Sequence, residues 1–217
     1  AVQRAATPDT VVMCAAGTMP GELHKLWKAG RPGSYHMEYG FSCMGYEIAG
    51  AMGIKMAEPE RDVLCFTGDG TYMMANSELA TAVMRRVPFT VVLTDNRGFG
   101  CINRLQTGTG GAAFNNLYAN CNLEDQPQID YVAHAGSMGA HAVKAADIGD
   151  LEALIAAARD RDIPTVIVID TDPTQGPNFN GSGAWWDVGI PEVSGRKPVN
   201  EAYAAHLKAK AIQRVVN

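Results

Sequence analysis

The sequence contains no apolar run near the roughly 18 residues that a membrane-spanning helix requires. Its first residues also lack the basic segment followed by an apolar stretch that marks a secretory signal. Basic residues are scattered and the formal net charge is −5, which argues against a nucleic-acid footprint and against a basic membrane-binding patch. We therefore expect a globular protein that binds neither nucleic acid nor membrane.

The cysteines are few and far apart, and no two of them form a Cys-x-x-Cys pair: Cys14, Cys43, Cys65, Cys101 and Cys121. This spacing predicts neither a disulfide framework nor a zinc site, and reduced thiols in a cytoplasmic protein are the better interpretation. The sequence begins Ala1-Val2-Gln3-Arg4 without a methionine, so we expect a fragment or a processed part of a longer protein.

Short apolar runs alternate with longer stretches of helical periodicity. The runs read as buried strands: Thr10–Cys14, Val63–Thr67, Phe89–Thr94 and Thr165–Asp170. The periodic stretches read as helices: Gly40–Ala57, Asn76–Val87 and Ile148–Arg159. Strands that are apolar on both faces and alternate with helices predict an α/β fold, namely a doubly wound parallel sheet with helices on both faces.

The composition changes after Pro173, where glycine and proline become frequent and Trp185-Trp186 provides two large aromatic rings. We predict one domain over residues 1–173. Residues 174–217 are then an irregular tail that packs on this domain and ends in a helix over Asn200–Val216.

A Gly68-Asp69-Gly70-Thr71 segment directly follows the predicted strand Val63–Thr67. In a doubly wound fold this is the carboxyl edge of the sheet, where ligands bind. Glycines let the backbone approach an anion closely, but an aspartate inside a phosphate-binding turn would repel phosphate. The aspartate makes sense if a cation lies between the two groups, which suggests Mg²⁺.

Asp95-Asn96-Arg97-Gly98 follows the next strand, one helix plus one strand after Asp69. We expect the Asp69 carboxylate, the Asn96 amide oxygen and a backbone carbonyl near Gly98 to be three ligands of one Mg²⁺. Each motif alone is more often a simple turn. Together they resemble the signature of the thiamine-diphosphate enzymes, a Gly-Asp-Gly closed by an Asn after just under thirty residues.

This resemblance implies that thiamine diphosphate (TPP) binds here with Mg²⁺, the diphosphate lying against Gly68, Gly70 and Thr71. Ser42-Cys43-Met44-Gly45-Tyr46 resembles the family's Gly-Thr-Met-Gly-Phe segment, which implies that Met44 supports the bent form of the cofactor. The alternative is a core methionine at the start of a helix. The turn at Thr18 follows the first strand and is a second candidate wall for the phosphates.

Three longer strings are similar to the trihydroxycyclohexane-1,2-dione acylhydrolases of bacterial myo-inositol catabolism: Tyr35–Ala57, Ala16–Trp27 and Asn96–Asn103. The resemblance implies hydrolytic C–C cleavage of trihydroxycyclohexane-1,2-dione, which opens the ring to 5-deoxy-glucuronate. Acetolactate synthase-like carboligases and decarboxylases share the fold and are the alternative, although His36-x-Glu38-Tyr39 is not expected in them.

His36 and Glu38 precede the Met44 segment, and a ring-opening hydrolase needs groups that transfer protons. One hypothesis is that one or both face the substrate. The other is structural: Glu38 caps the following helix or pairs with Arg31, and His36 is a satisfied structural histidine.

The family builds each site from two domains, of which the second holds the aminopyrimidine and donates a glutamate that activates the cofactor. This chain offers no counterpart for that domain. We therefore expect it upstream or in a partner chain, within a homo-dimer or tetramer, and we expect the chain alone to be inactive.

Overall fold

The computed structural model describes residues 1–38, 40–122, 124–126, 128–173 and 189–213. Tyr39, the two tryptophans of the predicted tail and the end of the predicted C-terminal helix lie outside these ranges. The described strands are β1 (Val11–Cys14), β2 (Tyr35–Met37), β3 (Val63–Gly68), β4 (Thr90–Asp95), β5 (His141–Lys144) and β6 (Thr165–Asp170).

These six strands form one parallel sheet in the order β2-β1-β3-β4-β6-β5. The predicted doubly wound parallel sheet is confirmed, and β1, β3, β4 and β6 lie within one residue of their predicted bounds. The sequence analysis did not find β2 and β5. Both are short edge strands in which no residue is fully buried, so they lack the continuous apolar run that marks the central strands.

Side chains alternate between the two faces of the sheet, and each face has its own hydrophobic core. On one face Met13, Cys65 and Val91 pack against Ile48 and other residues of the covering helices. On the opposite face Val12, Leu64 and Val92 pack against Leu23 and Leu151. Each central strand therefore buries successive residues on opposite faces, which explains why its sequence is apolar throughout.

The helices are α1 (Val2–Ala5), α2 (Met19–Leu26), α3 (Tyr46–Ala57), α4 (Asp69–Met74), α5 (Ser77–Met84), α6 (Gly100–Gly108), α7 (Tyr131–Ser137), α8 (Ile148–Ala158) and α9 (Lys197–Ala211). The prediction that a helix begins at Gly40 was wrong, since α3 begins at Tyr46. Gly45 has a φ of 93°, a left-handed conformation that separates the preceding loop from the helix. The last helix begins at Lys197, three residues before the predicted start.

The chain divides into two compact units. The first comprises Ala1–Gly98 and Pro127–Asp172 and contains the whole sheet. The second comprises Phe99–Gln126 and Pro173–Asn217. Within the second unit, a Cβ atom at Gly110 would lie 2.5 Å from the carbonyl oxygen of Pro198, so the turn after α6 packs closely on the start of α9. The domain boundary at residue 173 stays a prediction.

All five cysteines lie in the described part of the chain and are unpaired. Cys14 and Cys65 are buried in the two cores, and burial raises the pKa of the Cys14 thiol to about 11. Among the described residues, no helix is both long and apolar enough to span a bilayer.

Candidate metal centre

The carboxyl ends of β3 and β4 lie side by side in the first unit. Gly68 pairs with Thr94 at the end of this parallel ladder, so the residues that follow the two strands leave the sheet together. Asp69 begins α4 immediately after β3, and Asn96 begins the turn immediately after β4. The topology therefore brings together the two motifs that the sequence analysis had linked through their spacing.

Asp69 is a buried carboxylate with a side chain that joins these two turns. Its residue is only 1% exposed. The backbone N–H of Gly98 donates to Oδ2 at 2.7 Å, and that of Asn96 donates to Oδ1 at 3.4 Å. Gly98 has a φ of 141°, which favours glycine and lets the turn fold back over the carboxylate. No ion pair in the described ranges involves Asp69.

The side-chain amide of Asn96 completes a cluster of polar atoms. One of its terminal atoms lies 2.7 Å from the carbonyl oxygen of Gly98 and 3.2 Å from Asp69 Oδ1. As nitrogen, this atom would donate hydrogen bonds to both. As oxygen, it would face two other oxygens, an arrangement that requires a cation. Ligand oxygens on one edge of a Mg²⁺ octahedron are about 3 Å apart, because each lies about 2.1 Å from the ion.

The electrostatics of Asp69 agree with a cation site. The pKa of its carboxyl is raised to about 6, chiefly by burial and also by the negative charge of Asp95, while the N–H groups of Gly98, Asn96 and Gly70 oppose the rise. A divalent cation beside the carboxylate would compensate its charge. The residues present therefore fit the predicted metal: one carboxylate, one amide and one backbone carbonyl would supply three hard oxygen ligands.

No group of three or more His, Cys, Asp or Glu side chains gathers as a metal site within the described ranges. The candidate centre at Asp69 has a single acidic side chain, and its other protein ligands would be an amide and a backbone carbonyl, which such a group does not include. Mg²⁺ sites of this kind depend on phosphate and water oxygens for the rest of their coordination.

The other predicted phosphate-side residues surround the same edge of the sheet. A Cβ atom at Gly68 would meet no other atom within 4 Å, so open space lies in front of this glycine. Gly70 and the buried Thr71 lie in the first turn of α4. Thr18 follows β1 and occupies the N-cap position of α2. The fold brings Gly68, Gly70 and Thr71 together with the metal centre, and it places Thr18 after the neighbouring strand.

Met44 lies in the loop between β2 and α3, one residue before the left-handed Gly45. It is partly buried and packs in neither of the two hydrophobic cores. The alternative of an ordinary core methionine therefore has less support than a side chain that faces the ligand edge. Its role in holding a cofactor stays a prediction.

The two predicted catalytic residues differ in their contacts. His36 Nε2 lies 3.1 Å from the hydroxyl of Tyr46, and the two rings stack with their centroids 6.0 Å apart. Glu38 accepts hydrogen bonds from the backbone N–H of Cys43 at 2.7 Å and of Phe41 at 3.1 Å. These two bonds lower the pKa of Glu38, which is held as a carboxylate that shapes the loop.

Neither structural alternative for Glu38 matches its contacts. Its hydrogen bonds go to the backbone of a loop and not to the start of a helix. Arg31, its proposed ion-pair partner, lies instead beside Asp9 and Glu58, at 3.3 and 3.9 Å.

The sequence analysis overlooked two residues of this region. Tyr46 carries a hydroxyl at the position where the similar family segment has phenylalanine, and this difference was a visible signal. Glu47 is 1% exposed, although its side chain is charged. The signal for Glu47 was a single carboxylate within the helix Tyr46–Ala57, whose only other charged residue is Lys55.

Comparison with known proteins agrees with this geometry. Residues 15–169 match the family described as thiamine pyrophosphate enzyme, C-terminal TPP binding domain. The chain is 40% identical over 210 residues to a 3D-(3,5/4)-trihydroxycyclohexane-1,2-dione hydrolase of Bacillus licheniformis, covering 96% of this chain and 32% of that protein. The protein of the same name from Bacillus subtilis is 39% identical over 202 residues, covering 92% and 31%. The chain thus spans about a third of the length of these relatives.

Solved structures show the same fold at low sequence identity. A thiamine diphosphate-dependent 4-hydroxybenzoylformate decarboxylase of Rhodococcus jostii matches with a TM-score of 0.69 and 22% identity, over 79% of this chain and 31% of that one. A benzoylformate decarboxylase of Polynucleobacter necessarius matches with a TM-score of 0.71 and 17% identity, over 81% and 32%. At these identities the likeness speaks for the fold alone.

Proposed function

The chain belongs to the thiamine pyrophosphate enzymes, as their C-terminal TPP-binding domain, and from this membership we propose that it holds Mg²⁺ and the cofactor diphosphate in a hydrolase that opens a cyclic 1,2-dione. The observation that carries the metal site is the convergence of the Asp69 carboxylate, the Asn96 side-chain amide and the Gly98 carbonyl. The substrate class is supported by relatives at about 40% identity that are named as hydrolases of trihydroxycyclohexane-1,2-dione.

The proposed roles follow from position. Asp69, Asn96 and the Gly98 carbonyl would hold the metal, whose charge would compensate that of the diphosphate. The open space at Gly68 would admit a phosphate group, and the turn that contains Gly70 and Thr71 lines the same space. The proposed residues of the remaining wall and of the cofactor support are Thr18 and Met44.

TPP, when bound, supplies a carbanion and an electron sink for C–C cleavage. This chain contributes orientation and proton transfer. The hydrogen-bonded His36 and Tyr46 can hold a proton between them and exchange it with a substrate hydroxyl or with the water that hydrolysis requires. Glu38 was predicted as a second catalytic group, and its two backbone hydrogen bonds favour a role in shaping the loop that carries Met44.

The rest of the active site belongs to parts that this chain does not contain. We propose that the aminopyrimidine and its activating glutamate are held by a second domain, upstream or in a partner chain, within a homo-dimer or tetramer. Residues 1–173 are then the TPP- and Mg²⁺-binding domain, and residues 174–217 an appendage to it. The cytoplasmic location also stays a proposal.

The proposed reaction is tested by product analysis on the intact protein that carries this chain. The protein is supplied with TPP and Mg²⁺ and then given either trihydroxycyclohexane-1,2-dione or pyruvate. We expect the ring-opened 5-deoxy-glucuronate from the dione and no acetolactate or acetaldehyde from pyruvate. Turnover of pyruvate without opening of the dione would instead support the carboligase or decarboxylase alternative.

A further inference from the structure

Glu47 is a buried acidic residue to which the proposed reaction gives no role. It is the second residue of α3 and is 1% exposed. Its Oε1 accepts a hydrogen bond from the backbone N–H of Ala16 at 3.3 Å, and its Oε2 accepts one from that of Gly45 at 3.0 Å. No ion pair in the part of the chain that the structure describes involves Glu47.

The two bonds connect two separate loops of the ligand edge. Ala16 lies in the turn after β1 that leads to Thr18, and Gly45 directly follows Met44. Gly45 is fixed from a second side as well, because a Cβ atom built on it would lie 3.0 Å from the Cβ of Ala75. The backbone next to Met44 is therefore held between the carboxylate of Glu47 and the end of α4.

Burial of a carboxylate at this position is energetically unfavourable. Burial raises the pKa of Glu47, while the backbone N–H groups around it lower the pKa. An apolar side chain would fill the same core without that cost, but it would leave the Ala16 and Gly45 N–H groups without their acceptor. What the carboxylate adds is a fixed spacing between the two loops.

We propose that Glu47 is a positioning residue that ties the loop of Met44 to the turn after β1 and thereby sets the place of Met44 against the cofactor. Glu47 acts through Gly45 and Met44 and does not touch the cofactor itself. The inference rests on the proposed function, since it requires that TPP binds at this edge of the sheet.

A double-mutant cycle in the intact protein tests this role. The variants are Glu47→Gln, Met44→Ala and the pair, and the measured quantity is the Kd of TPP at saturating Mg²⁺, obtained by calorimetry. Glu47→Gln keeps the volume but turns one acceptor into a donor that faces a backbone N–H. We expect it to weaken TPP binding about tenfold, as does Met44→Ala. In the Met44→Ala background, Glu47→Gln should change the Kd less than about twofold.

Glu60→Gln is the matched control, because Glu60 is exposed in the turn after α3. This variant should bind TPP with the same Kd as the wild-type protein. If Glu47→Gln loses the native circular dichroism spectrum, Glu47→Asp takes its place in the cycle, since it keeps the charge but withdraws the carboxylate by one methylene. Loss of the native spectrum in both variants would assign Glu47 to the stability of the fold and overturn the proposal.

Two other outcomes would also overturn it. One is an unchanged Kd in the Glu47 variant, and the other is an equal loss of affinity with and without Met44, which is what a general loss of stability produces. Failure of the proposed function is recognised separately: wild-type protein with Mg²⁺ would then show no TPP binding, whatever residue stands at position 47.

Discussion

The end of β3 and the loop between β2 and α3 differ in what they bury: a carboxylate is buried at the first, and a large apolar side chain is exposed in the second. Asp69 is 1% exposed and is bonded to the opposite turn, while Phe41 in the loop is 92% exposed. The first region matches a motif shared by a whole enzyme class, and the second carries the string that resembles one family within it. We propose that the buried centre holds the cofactor and that the exposed loop faces the substrate.

The largest expected effect comes from Asp69→Asn in the buried centre. This change removes the only acidic ligand of the proposed metal, and loss of supporting residues alone already costs 10–100-fold in metal affinity in comparable sites, so we expect TPP affinity with Mg²⁺ to fall more than about 100-fold. Calorimetry on the intact protein measures the effect. Asp160→Asn, an exposed matched control, should bind normally.

The same substitution should stabilise the metal-free protein. A buried carboxylate without a cation is unfavourable, as the raised pKa of Asp69 indicates. Asparagine keeps one acceptor oxygen, which can face the Gly98 N–H at 2.7 Å, and it gives up only the longer bond from the Asn96 N–H at 3.4 Å. We therefore expect Asp69→Asn to increase the free energy of unfolding by about 1–3 kcal/mol at neutral pH in the presence of a chelator. Thermal denaturation of both proteins with and without Mg²⁺ is the measurement. Equal stability without metal would mean that the carboxylate is already compensated and would weaken the case for a cation site.

His36→Gln tests whether the strand β2, which leads into the exposed loop, carries a group that acts on the substrate. Glutamine can keep a hydrogen bond to Tyr46 but cannot accept and return a proton near neutral pH, so we expect kcat for the dione to fall about 100-fold. The Kd of TPP should stay at the wild-type value. A variant with normal turnover would make His36 a structural partner of Tyr46.

Gly68→Ala tests the space in front of the metal centre. The backbone at Gly68 has a φ of −86°, which alanine adopts without strain, and the added Cβ would touch no protein atom within 4 Å. We expect unchanged thermal stability with about tenfold weaker TPP binding, because the methyl group occupies space assigned to a phosphate oxygen. Normal binding would show that the diphosphate does not approach this residue.

Glu38→Gln should have the smallest effect. Glu38 is partly buried, but its bonds from the N–H groups of Phe41 and Cys43 are made at the surface, where such interactions contribute at most about 1 kcal/mol. We expect kcat and the Kd of TPP each to change less than about threefold. A loss of turnover as large as that of His36→Gln would restore the prediction that both residues are catalytic.

Sequence analysis predicted the buried parts of the fold well and the exposed parts poorly, for one physical reason. Strands such as Val63–Gly68 are covered on both faces, so nearly all of their residues are apolar and the run is visible in the sequence. The edge strand Tyr35–Met37 is only partly buried and has no such apolar run. The start of α3 was misplaced because the left-handed Gly45, rather than the small-residue composition of the loop, determines where the helix begins.

The candidate site was also predicted only in part. The proximity of Asp69 and Asn96 could be foreseen, since the carboxyl ends of adjacent parallel strands meet. The bond between Glu47 and the backbone at Ala16 could not, because it joins residues of two loops whose paths depend on packing rather than on any local pattern.

The central claim is that Asp69, Asn96 and Gly98 bind one divalent cation. A crystal structure of the intact protein with TPP and Mn²⁺ tests it most directly, with anomalous diffraction data that locate the manganese. We predict one anomalous peak about 2.1 Å from Asp69 Oδ, Asn96 Oδ1 and the Gly98 carbonyl oxygen. A structure that shows no peak there, with the Asn96 amide nitrogen donating to Gly98 and Asp69, would contradict the account.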